Sequence, residues 1–501
     1  MSKIVPKGKK RNRIETSKDP AQTKSPKPYQ SLKEPFTEEV MAPTKTVQPP
    51  VHIAAIAHPG RGHINAMMNF CCLLSDRGDF HISFVVTEEW CSILSSDPPP
   101  PSCVQLCTIP NCIPSERGRA ADMNKFLEAV QTKMEEPFEY LITEQLELPV
   151  QAIVSDTYLP WAVAVGSRRG IPVCSLFPMA ASFFRALNNY DLLPVVVAAD
   201  GDVPTADAIA EFNDHPLEQY IPGLHPLRSS DLNTVHAVKP LKKILQSFPW
   251  LKKAQCLLFT SFYVLESVTI DSIKAQVPCP VYPIGPCIPY YRFNDKTNTD
   301  QDHYLTWLDK QQKKSVLYIS LGSFLSVSQA QLEELASGLV ASQVKFLWVA
   351  REKSCRVQKI VGKSGLIVPW CEQLKVLCHP SIGGFLTHCG WNSTLEAVYA
   401  GVPMMTFPIF WDQDVDSRLV VEKWKVGMSL KGKIGKDGII GKEEIALVVK
   451  AFMDLDGDES KEFRKEALKL KEAARNATDV GGSSYNSLSI FIENLSANLH
   501  S

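Results

Sequence analysis

The sequence has little excess charge of either sign and no long apolar run. Its 53 Lys and Arg residues balance 54 Asp and Glu residues, which leaves a formal charge of −1. No overall field would therefore hold this chain on nucleic acid or on an acidic membrane. The longest apolar run in the middle of the chain, residues 192–199, is far shorter than the roughly 20 residues of a membrane span, and it contains Pro194. We expect no nucleic-acid partner and no membrane span.

The cysteines and the acidic runs lack the spacing of metal sites. Cys103, Cys107 and Cys112 have no zinc-like pairing and no set of histidines beside them. Of two acidic runs, 412–416 and 454–458, the second places its glycine at the fourth rather than the sixth position of a calcium loop. We therefore expect no metal. Fourteen cysteines without a disulfide pattern favour reduced thiols and hence a cytoplasmic protein.

Residues 1–50 differ in composition from the rest of the chain. They hold eleven Lys and Arg, five Asp and Glu and eight Pro, without apolar periodicity. Such a segment buries too little surface to offset the entropy of ordering, so we predict a disordered tail. The basic run Lys7–Arg13 leaves two other interpretations open, an anionic-surface tag and a targeting segment. We expect residues 1–40 to be dispensable, or to be an over-extended start ahead of Met41.

From residue 51 onward, short β-branched runs alternate with helical stretches. This alternation predicts an α/β fold with parallel sheets covered by helices on both faces. A first domain is predicted over 51–285, a proline-rich and polar linker over 286–303, and a second domain over 304–478. Residues 479–501 are predicted to pack back on the first domain. Two doubly wound domains would place a ligand cleft between the carboxyl ends of their strands. The predicted strands are 51–57, 81–87, 151–155, 173–177, 256–260, 315–321, 345–350, 382–386 and 402–407.

A dense group of polar residues and glycines occupies residues 370–413. Within it, Gly390 is predicted to end a strand, and Asn392 or Ser393 to cap a helix over 394–399. The free backbone amides and the dipole at such a helix start attract anions, and the geometry suits a diphosphate.

Side chains on both sides of this turn supply other contacts of a nucleotide-sugar site. His388 lies just before the turn and can donate to the same anion. Trp370, in a predicted loop, can stack on a planar base. Gln373 and Glu396 carry the donors and acceptors that sugar hydroxyls require. Each residue taken alone also fits a structural role, and their joint occurrence is what indicates a site.

The stretch 370–413 resembles the signature box of plant UDP-glycosyltransferases that glucosylate small molecules. The similarity extends over residues 51–495, and Ser155-Asp-Thr-Tyr-Leu-Pro-Trp161 is similar to the eighty-seventh plant family. The resemblance implies a GT-B fold, in which two facing Rossmann-like domains enclose an interdomain cleft. It also implies an enzyme that needs no metal and no cofactor besides its UDP-sugar donor. The matching positions are Trp370, Gln373, His379, His388-Cys-Gly-Trp-Asn-Ser393, Glu396, Gly401-Val-Pro403 and Asp412-Gln413.

The resemblance also implies ligand-binding roles for particular residues. The implied uracil and ribose ligands are Trp370, the Cys371 backbone, Gln373 and Glu396. The implied phosphate ligands are Ser323, His388, Asn392 and Ser393. The implied sugar ligands are Trp391, Asp412 and Gln413. In the family, Gln at the last of these positions goes with glucose, so we expect UDP-glucose as the donor.

A second motif follows the first predicted strand. In His58-Pro-Gly-Arg-Gly-His63 the glycines allow a tight turn that puts His63 at the mouth of the first helix. A hydroxyl that attacks a sugar needs a base, and the base needs a carboxylate that orients it and balances its charge. In the resembling family, the histidine that matches His63 is this base, and Asp156 matches the orienting aspartate. His58 is a competing candidate that matches no catalytic position of the family.

Two other functions stay open from the residues. Gly60-Arg-Gly62 after a strand is typical of a nicotinamide-dependent dehydrogenase, but Asn65 stands where the third glycine belongs. A catalytically silent UDP-sugar-binding protein is the other alternative, and the presence of both His63 and Asp156 argues against it. The expected acceptor is a small lipophilic plant metabolite with a hydroxyl or carboxyl group, which becomes a β-glucoside. Residues 177–184 are predicted either to line its pocket or to form a core turn, and we expect a monomer.

Overall fold

The computed structural model describes residues 50–95, 102–116, 119, 122–193, 215–232, 241–290, 303–322, 327–350, 355–433 and 438–499. The predicted tail up to residue 49, Ser323 and most of the predicted linker lie outside these residues. Both sheets belong to one compact unit, Pro50–Ser501.

The first half of the described chain builds one parallel sheet covered by helices. Its strands are β1 Val51–Ile56, β2 Phe80–Thr87, β3 Val104–Ile109, β4 Ala152–Asp156, β5 Val173–Phe177, β6 Cys256–Phe259 and β7 Val281–Pro283. Its helices are α1 Arg61–Ser75, α2 Glu88–Leu94, α3 Met123–Lys133, α4 Glu135–Tyr140, α5 Pro160–Arg169, α6 Ala181–Asn188, α7 Leu241–Leu245 and α8 Tyr263–Gln276. Short 3-10 or π turns occupy Leu141–Gln145, Tyr190–Leu192, Leu217–Gln219, Ser229–Leu232 and Phe248–Lys253. The strands lie in the order β3-β2-β1-β4-β5-β6-β7.

The second half repeats this architecture. Its strands are β8 Val316–Ser320, β9 Lys345–Val349, β10 Gly365–Val368, β11 Ile382–Thr387, β12 Met404–Thr406 and β13 Gly427–Ser429. Its helices are α9 His303–Asp309, α10 Gln329–Ser342, α11 Cys355–Val361, α12 Gln373–Leu377, α13 Trp391–Ala400, α14 Gln413–Arg418, α15 Lys442–Met453, α16 Asp458–Thr478 and α17 Ser483–Leu499. Leu419–Lys423 and Lys431–Lys433 form short π and 3-10 turns. The strands lie in the order β10-β9-β8-β11-β12-β13, all parallel.

The predicted α/β architecture is confirmed, and the predicted strands are the interior strands of both sheets. The prediction omitted β3, β7, β10 and β13, which are the outermost strands of the two sheets. The strand β7 lies just before the predicted linker, where no strand was predicted.

Each sheet reverses its strand order at one point, and these points face the cleft. In the first sheet β1 pairs with both β2 and β4, with Ile56 opposite Ser155. In the second, β8 pairs with both β9 and β11, with Ser320 opposite Thr387. Ligands of open parallel sheets bind outside the carboxyl ends of the strands at such reversals. The fold therefore offers two binding positions, one for each half.

The last helix, α17, returns to the first sheet. Its buried residues Leu488, Phe491 and Leu495 recur at helical spacing and form one apolar stripe. The Phe491 ring packs on Phe70 of α1 and on Tyr282 of β7, with ring centroids 6.1 and 5.9 Å apart. Within the described residues, no helix combines the length and the apolar character that crossing a membrane requires.

Candidate active site

A cavity of about 390 Å³ lies between the carboxyl ends of the two sheets. The loop after β1, the start of α1 and the loop after β4 form one side, and the ends of β8 and β11 with the start of α13 form the other. The predicted site residues that line this cavity are His63, Trp370, Cys371, Gln373, His388, Trp391, Asn392, Ser393, Glu396, Asp412 and Gln413. Asp156 lies behind His63, and Ser323 is outside the described residues.

The predicted pair His63 and Asp156 is in direct contact. His63 Nδ1 lies 2.7 Å from Asp156 Oδ2, and the backbone N–H of Tyr158 donates to Asp156 Oδ1 at 3.0 Å. Although burial alone would raise it, the His63 ring and these hydrogen bonds hold the pKa of Asp156 below its usual value. An ionised carboxylate only accepts hydrogen bonds, so Nδ1 carries the proton and Nε2 has the free lone pair.

The predicted helix start at α13 is present, but its capping was predicted wrongly. The helix begins at Trp391, three residues earlier than expected, and Gly390 precedes it without any side-chain cap. The Asn392 amide donates instead to the Gly62 carbonyl at 2.7 Å, and Ser393 Oγ accepts from Gln373 Nε2 at 2.9 Å. Because no side chain takes up the first amides among the described residues, the helix start keeps its donors for an anion.

His388 packs tightly between two glycines beside this helix start. A Cβ on Gly390 would lie 2.5 Å from His388 Nε2, and a Cβ on Gly322 would lie 2.8 Å from it. Gly322 also has φ +83°, in the left-handed region that favours glycine. Burial lowers the pKa of His388 to about 4, although a hydrogen bond to the backbone of Ser320 acts in the opposite direction and raises it. The ring is therefore neutral at physiological pH and carries a single N–H donor.

Trp370 and Cys371 form the outer edge of the second half of the cavity. Trp370 is 39% exposed, which is unusual for so large an apolar side chain. The Cys371 side chain is buried against Tyr318, whose hydroxyl lies 3.4 Å from its sulfur. Only the backbone of Cys371 is thus left for a ligand, while the Trp370 indole presents an open face.

A hydrogen-bonded chain of side chains connects Gln373 with Glu396. The Tyr318 hydroxyl donates to Gln373 Oε1 at 3.1 Å. Gln373 Nε2 donates to Glu396 Oε2 at 3.1 Å and also to Ser393. Gln373 is thus fixed from both ends, and the largely buried Glu396 places its carboxylate in the lining of the cavity.

The three predicted sugar ligands occupy different environments. Gln413 Oε1 accepts from the backbone N–H groups of Ile409 and Phe410 at 2.8 and 3.0 Å, and within the described residues its amide nitrogen has no hydrogen-bond partner and can serve as a donor. Burial raises the pKa of Asp412 to about 7. The Trp391 indole is buried and donates to Thr260 Oγ1 at 3.1 Å, so its N–H is already used.

Comparison with known proteins shows to which family this site belongs. The family model described as UDP-glucoronosyl and UDP-glucosyl transferase matches residues 278–445. UDP-glycosyltransferase 87A2 of Arabidopsis thaliana is 43% identical over 449 residues, which are 89% of this chain and 96% of that protein. UDP-glycosyltransferase 87A1 of the same plant is 44% identical over 441 residues, which are 87% of this chain and 98% of that protein. The chain belongs to the plant UDP-glycosyltransferases. The family expected from the signature box is therefore confirmed.

Solved structures of plant UDP-glycosyltransferases confirm the GT-B fold as well. Phytolacca americana UGT2, solved with UDP-2fluoro-glucose and pterostilbene, matches with TM-score 0.74 and 29% identity over 89% of this chain and 100% of its own. Medicago truncatula UGT71G1, solved with UDP-glucose, matches with TM-score 0.73 and 26% identity, and the match covers 89% of this chain and 98% of that protein.

The remaining wall of the cavity in this UDP-glycosyltransferase is mostly apolar. Its apolar lining residues are Leu94, Leu106, Met123, Leu127, Met179 and Ile244. The segment 177–184 is divided between the two predicted roles. Pro178 and Met179 line the cavity, whereas Phe177, Phe183 and Phe184 are fully buried in the core.

Several lining residues of this UDP-glycosyltransferase were missing from the sequence prediction. Tyr318 lies in a predicted apolar strand, and its hydroxyl donates to Gln373 Oε1. Trp411 has φ +64° and packs on Tyr158 and Phe183, with ring centroids 6.3 and 5.7 Å apart. Arg119 lies against Gly60, where a Cβ would come within 2.6 Å of its Nη1. Only Tyr158 could have been found from the sequence, because it stands two residues after the predicted site residue Asp156.

Proposed function

We propose that this UDP-glycosyltransferase is an inverting enzyme that moves glucose from UDP-glucose to a hydroxyl or carboxyl group of a small lipophilic acceptor. One observation supports this proposal above the others. The His63 and Asp156 couple opens into the same cavity as the uncapped start of α13. A base and an anion site that face each other are what sugar transfer from a nucleotide requires.

The proposed donor position follows the contacts of the second half. Trp370 stacks on uracil, and the Cys371 backbone binds its edge. Glu396 binds the ribose while Gln373 holds that carboxylate in place. The diphosphate lies at the start of α13 beside His388, with Asn392, Ser393 and Ser323 as its other proposed ligands.

The proposed sugar position lies between α14 and His63. The Gln413 amide nitrogen donates to the sugar, because its oxygen is held by the loop. Asp412 accepts from sugar hydroxyls in its ionised form. Trp391 contributes through its backbone and through the fixed start of the helix, since its indole N–H binds Thr260.

In the proposed reaction, His63 Nε2 takes the proton of the acceptor hydroxyl. The acceptor oxygen forms a bond to C1 of glucose while the bond from C1 to the UDP oxygen breaks and its electron pair leaves with UDP. Attack from the face opposite UDP converts the α-linked donor into a β-glucoside. Asp156 stays ionised and balances the imidazolium. The amides of α13 and His388 stabilise the charge that develops on the leaving diphosphate.

We also propose that the enzyme acts as a monomer in the cytoplasm, without a metal. All groups of the proposed mechanism come from one chain. Across the described ranges, no three His, Cys, Asp or Glu side chains are placed together as metal ligands. The cysteines that the structure describes are all free thiols, which fits a reducing compartment.

The test is UDP release by the full chain with UDP-glucose and a mixed panel of small alcohols, phenols and carboxylic acids. His63→Ala should reduce acceptor-dependent release by about a factor of 10² to 10⁴, the usual value of a general base. The matched control is His379→Ala, since His379 forms another His–Asp pair, with Asp309 at 3.1 Å, away from the cavity. This control should keep its activity.

Two outcomes would contradict the proposal in different ways. UDP binding that depends on Trp370 without any UDP release would favour a protein that only binds the nucleotide sugar. Equal activity of His63→Ala and the unchanged enzyme would remove His63 from the role of the base.

A further inference from the structure

A second histidine, His58, lines the cavity beside His63 and has no part in the proposed reaction. Its ring centroid lies 4.9 Å from that of His63. The residue is only 6% exposed. Neither of its ring nitrogens has a hydrogen-bond partner in the part of the chain that the structure describes. His58 is thus a buried polar side chain whose hydrogen-bonding capacity is unused at the edge of a cavity.

The packing around His58 accounts for an aromatic ring at this position but not for the two ring nitrogens. The ring stands edge-on to Tyr158, with centroids 6.3 Å apart and an interplanar angle of 88°, and it also packs on Phe126 at 6.1 Å. A phenylalanine would make these contacts equally well. Burying an imidazole without hydrogen bonds destabilises a fold, and a bound ligand that supplies these hydrogen bonds removes this cost.

His58 is neutral in this environment. Burial, together with the nearby His63 and Arg119, outweighs Asp156 and lowers the pKa of His58 to about 3. A neutral imidazole offers one N–H donor and one lone pair. Such a ring recognises an uncharged hydroxyl or a carbonyl oxygen without competing with His63 for a proton.

The short distance between His58 and His63 limits how far apart two oxygens bound by these rings can lie on the acceptor. Hydrogen bonds bring each ligand oxygen to roughly 3 Å from its ring nitrogen. Because the two ring centroids are only 4.9 Å apart, oxygens that bind the two rings can belong to one small unit of the acceptor. Oxygens on neighbouring carbons, as in a catechol, a vicinal diol or a 2-hydroxy carbonyl compound, meet this condition.

We propose that His58 is an acceptor-binding residue that selects compounds with two oxygens on neighbouring carbons. One oxygen is the hydroxyl that reacts at His63, and the other is held by His58. The remainder of the acceptor lies against the apolar wall that includes Met123 and Leu127. This inference rests on the proposed function, since it specifies the substrate class of that site.

The experiment compares matched acceptors that differ by one oxygen, catechol with phenol and 1,2-cyclohexanediol with cyclohexanol. The full-length enzyme with UDP-glucose should show a kcat/KM at least about tenfold higher for the dioxygen member of a pair, the value of one lost hydrogen bond in a buried site. His58→Phe keeps the ring packing and should reduce this ratio to about one while activity on phenol persists. His58→Asn, which retains an amide near the position of Nδ1, should restore part of the preference.

Equal use of both members of each pair would overturn the inference, as would a preference that His58→Phe leaves unchanged. If the proposed function itself is wrong, the result differs, because no acceptor then leads to UDP release. In that case, binding of catechol and of phenol is measured in the presence of UDP by the quenching of tryptophan fluorescence. This measurement tests the role of His58 without turnover. Tighter binding of catechol that His58→Phe abolishes would support the inference, and equal or absent binding of both compounds would overturn it.

Discussion

The side-chain amide of Asn392 donates to the backbone carbonyl of Gly62 at 2.7 Å, across 330 residues of sequence. Asn392 stands in the first turn of α13, whose amides face the proposed diphosphate, and Gly62 directly precedes His63. One hydrogen bond thus connects the donor half of the cleft with the loop that carries the proposed base. We infer that the position of this base depends on the C-terminal half of the chain.

Asn392→Ala should lower kcat by about tenfold, because a hydrogen bond worth about 1 kcal/mol is lost and the His63 loop is positioned less accurately. The KM for UDP-glucose should change less than kcat. Steady-state kinetics measures both constants. Asn494→Ala is the matched control, since Asn494 donates to the Tyr282 hydroxyl at 2.8 Å far from the cavity. An increase in KM alone would show that Asn392 acts only as a phosphate ligand and does not position His63.

Asp156→Asn should reduce kcat by about a factor of 10² or more. An amide nitrogen opposite Nδ1 favours the wrong tautomer of His63, with the proton on the nitrogen that faces the acceptor. The double variant with His63→Ala should be no less active than His63→Ala alone, because the two residues act as a unit. Additive losses in this double-mutant cycle would mean that Asp156 acts independently of His63.

The contact between His63 and Asp156 could be anticipated because each residue follows a continuous apolar run. Carboxyl ends of parallel strands share one edge of a sheet, so the two loops meet if their strands are neighbours. That Asp156 orients His63 was implied by the family resemblance and not by periodicity. The structure shows the pairing directly, with Ile56 opposite Ser155.

The four strands missed by sequence reasoning share a physical property, their position at the edges of the sheets. An edge strand has a neighbour on one side only and needs no long apolar run. In β3 Val104 is buried while Gln105 is exposed, and β13 has only three residues. In β7 the neighbouring prolines favoured a loop interpretation. Interior strands are buried on both faces, and their signal is correspondingly strong.

The capping error at α13 has a related cause. Asn and Ser are the usual residues before a helix, so the sequence around Asn392 and Ser393 favoured a start after them. Their side chains instead bind Gly62 and Gln373, partners that are distant in the sequence. A local rule therefore fails where a ligand site requires the helix start to stay uncapped.

Gly390→Ala should weaken UDP binding by about tenfold through His388. Gly390 has φ −57° and ψ 137°, so alanine suits the backbone, but its Cβ would lie 2.5 Å from His388 Nε2. The ring must move, and one hydrogen bond to the diphosphate is lost. Titration calorimetry with UDP measures the effect. Gly441→Ala, before α15, is the control, since its Cβ would meet only the end of Glu443 at 3.8 Å.

Gln413→Glu should raise the KM for UDP-glucose by about tenfold and leave the affinity for UDP unchanged. The carboxylate keeps the acceptor for the N–H groups of Ile409 and Phe410, but it has no amide donor for the sugar. Comparing UDP-glucose with UDP separates the sugar contact from the nucleotide contacts. Equal weakening of both ligands would mean that the variant disturbs the loop rather than the sugar position.

Asp416→Asn should reduce the loss of thermal stability between pH 5 and pH 8. Asp416 is fully buried one turn after Asp412, and burial with the charges of Asp412 and Glu266 raises its pKa well above the usual 3.8. The folded chain then binds more protons than the unfolded chain as pH rises above about 4, so unfolding becomes easier with increasing pH. Asparagine removes this titration and should shrink the difference in Tm by a few degrees. Asp456→Asn, at an exposed position, is the control, and an unchanged pH difference in Asp416→Asn would show that Asp416 is already ionised in the fold.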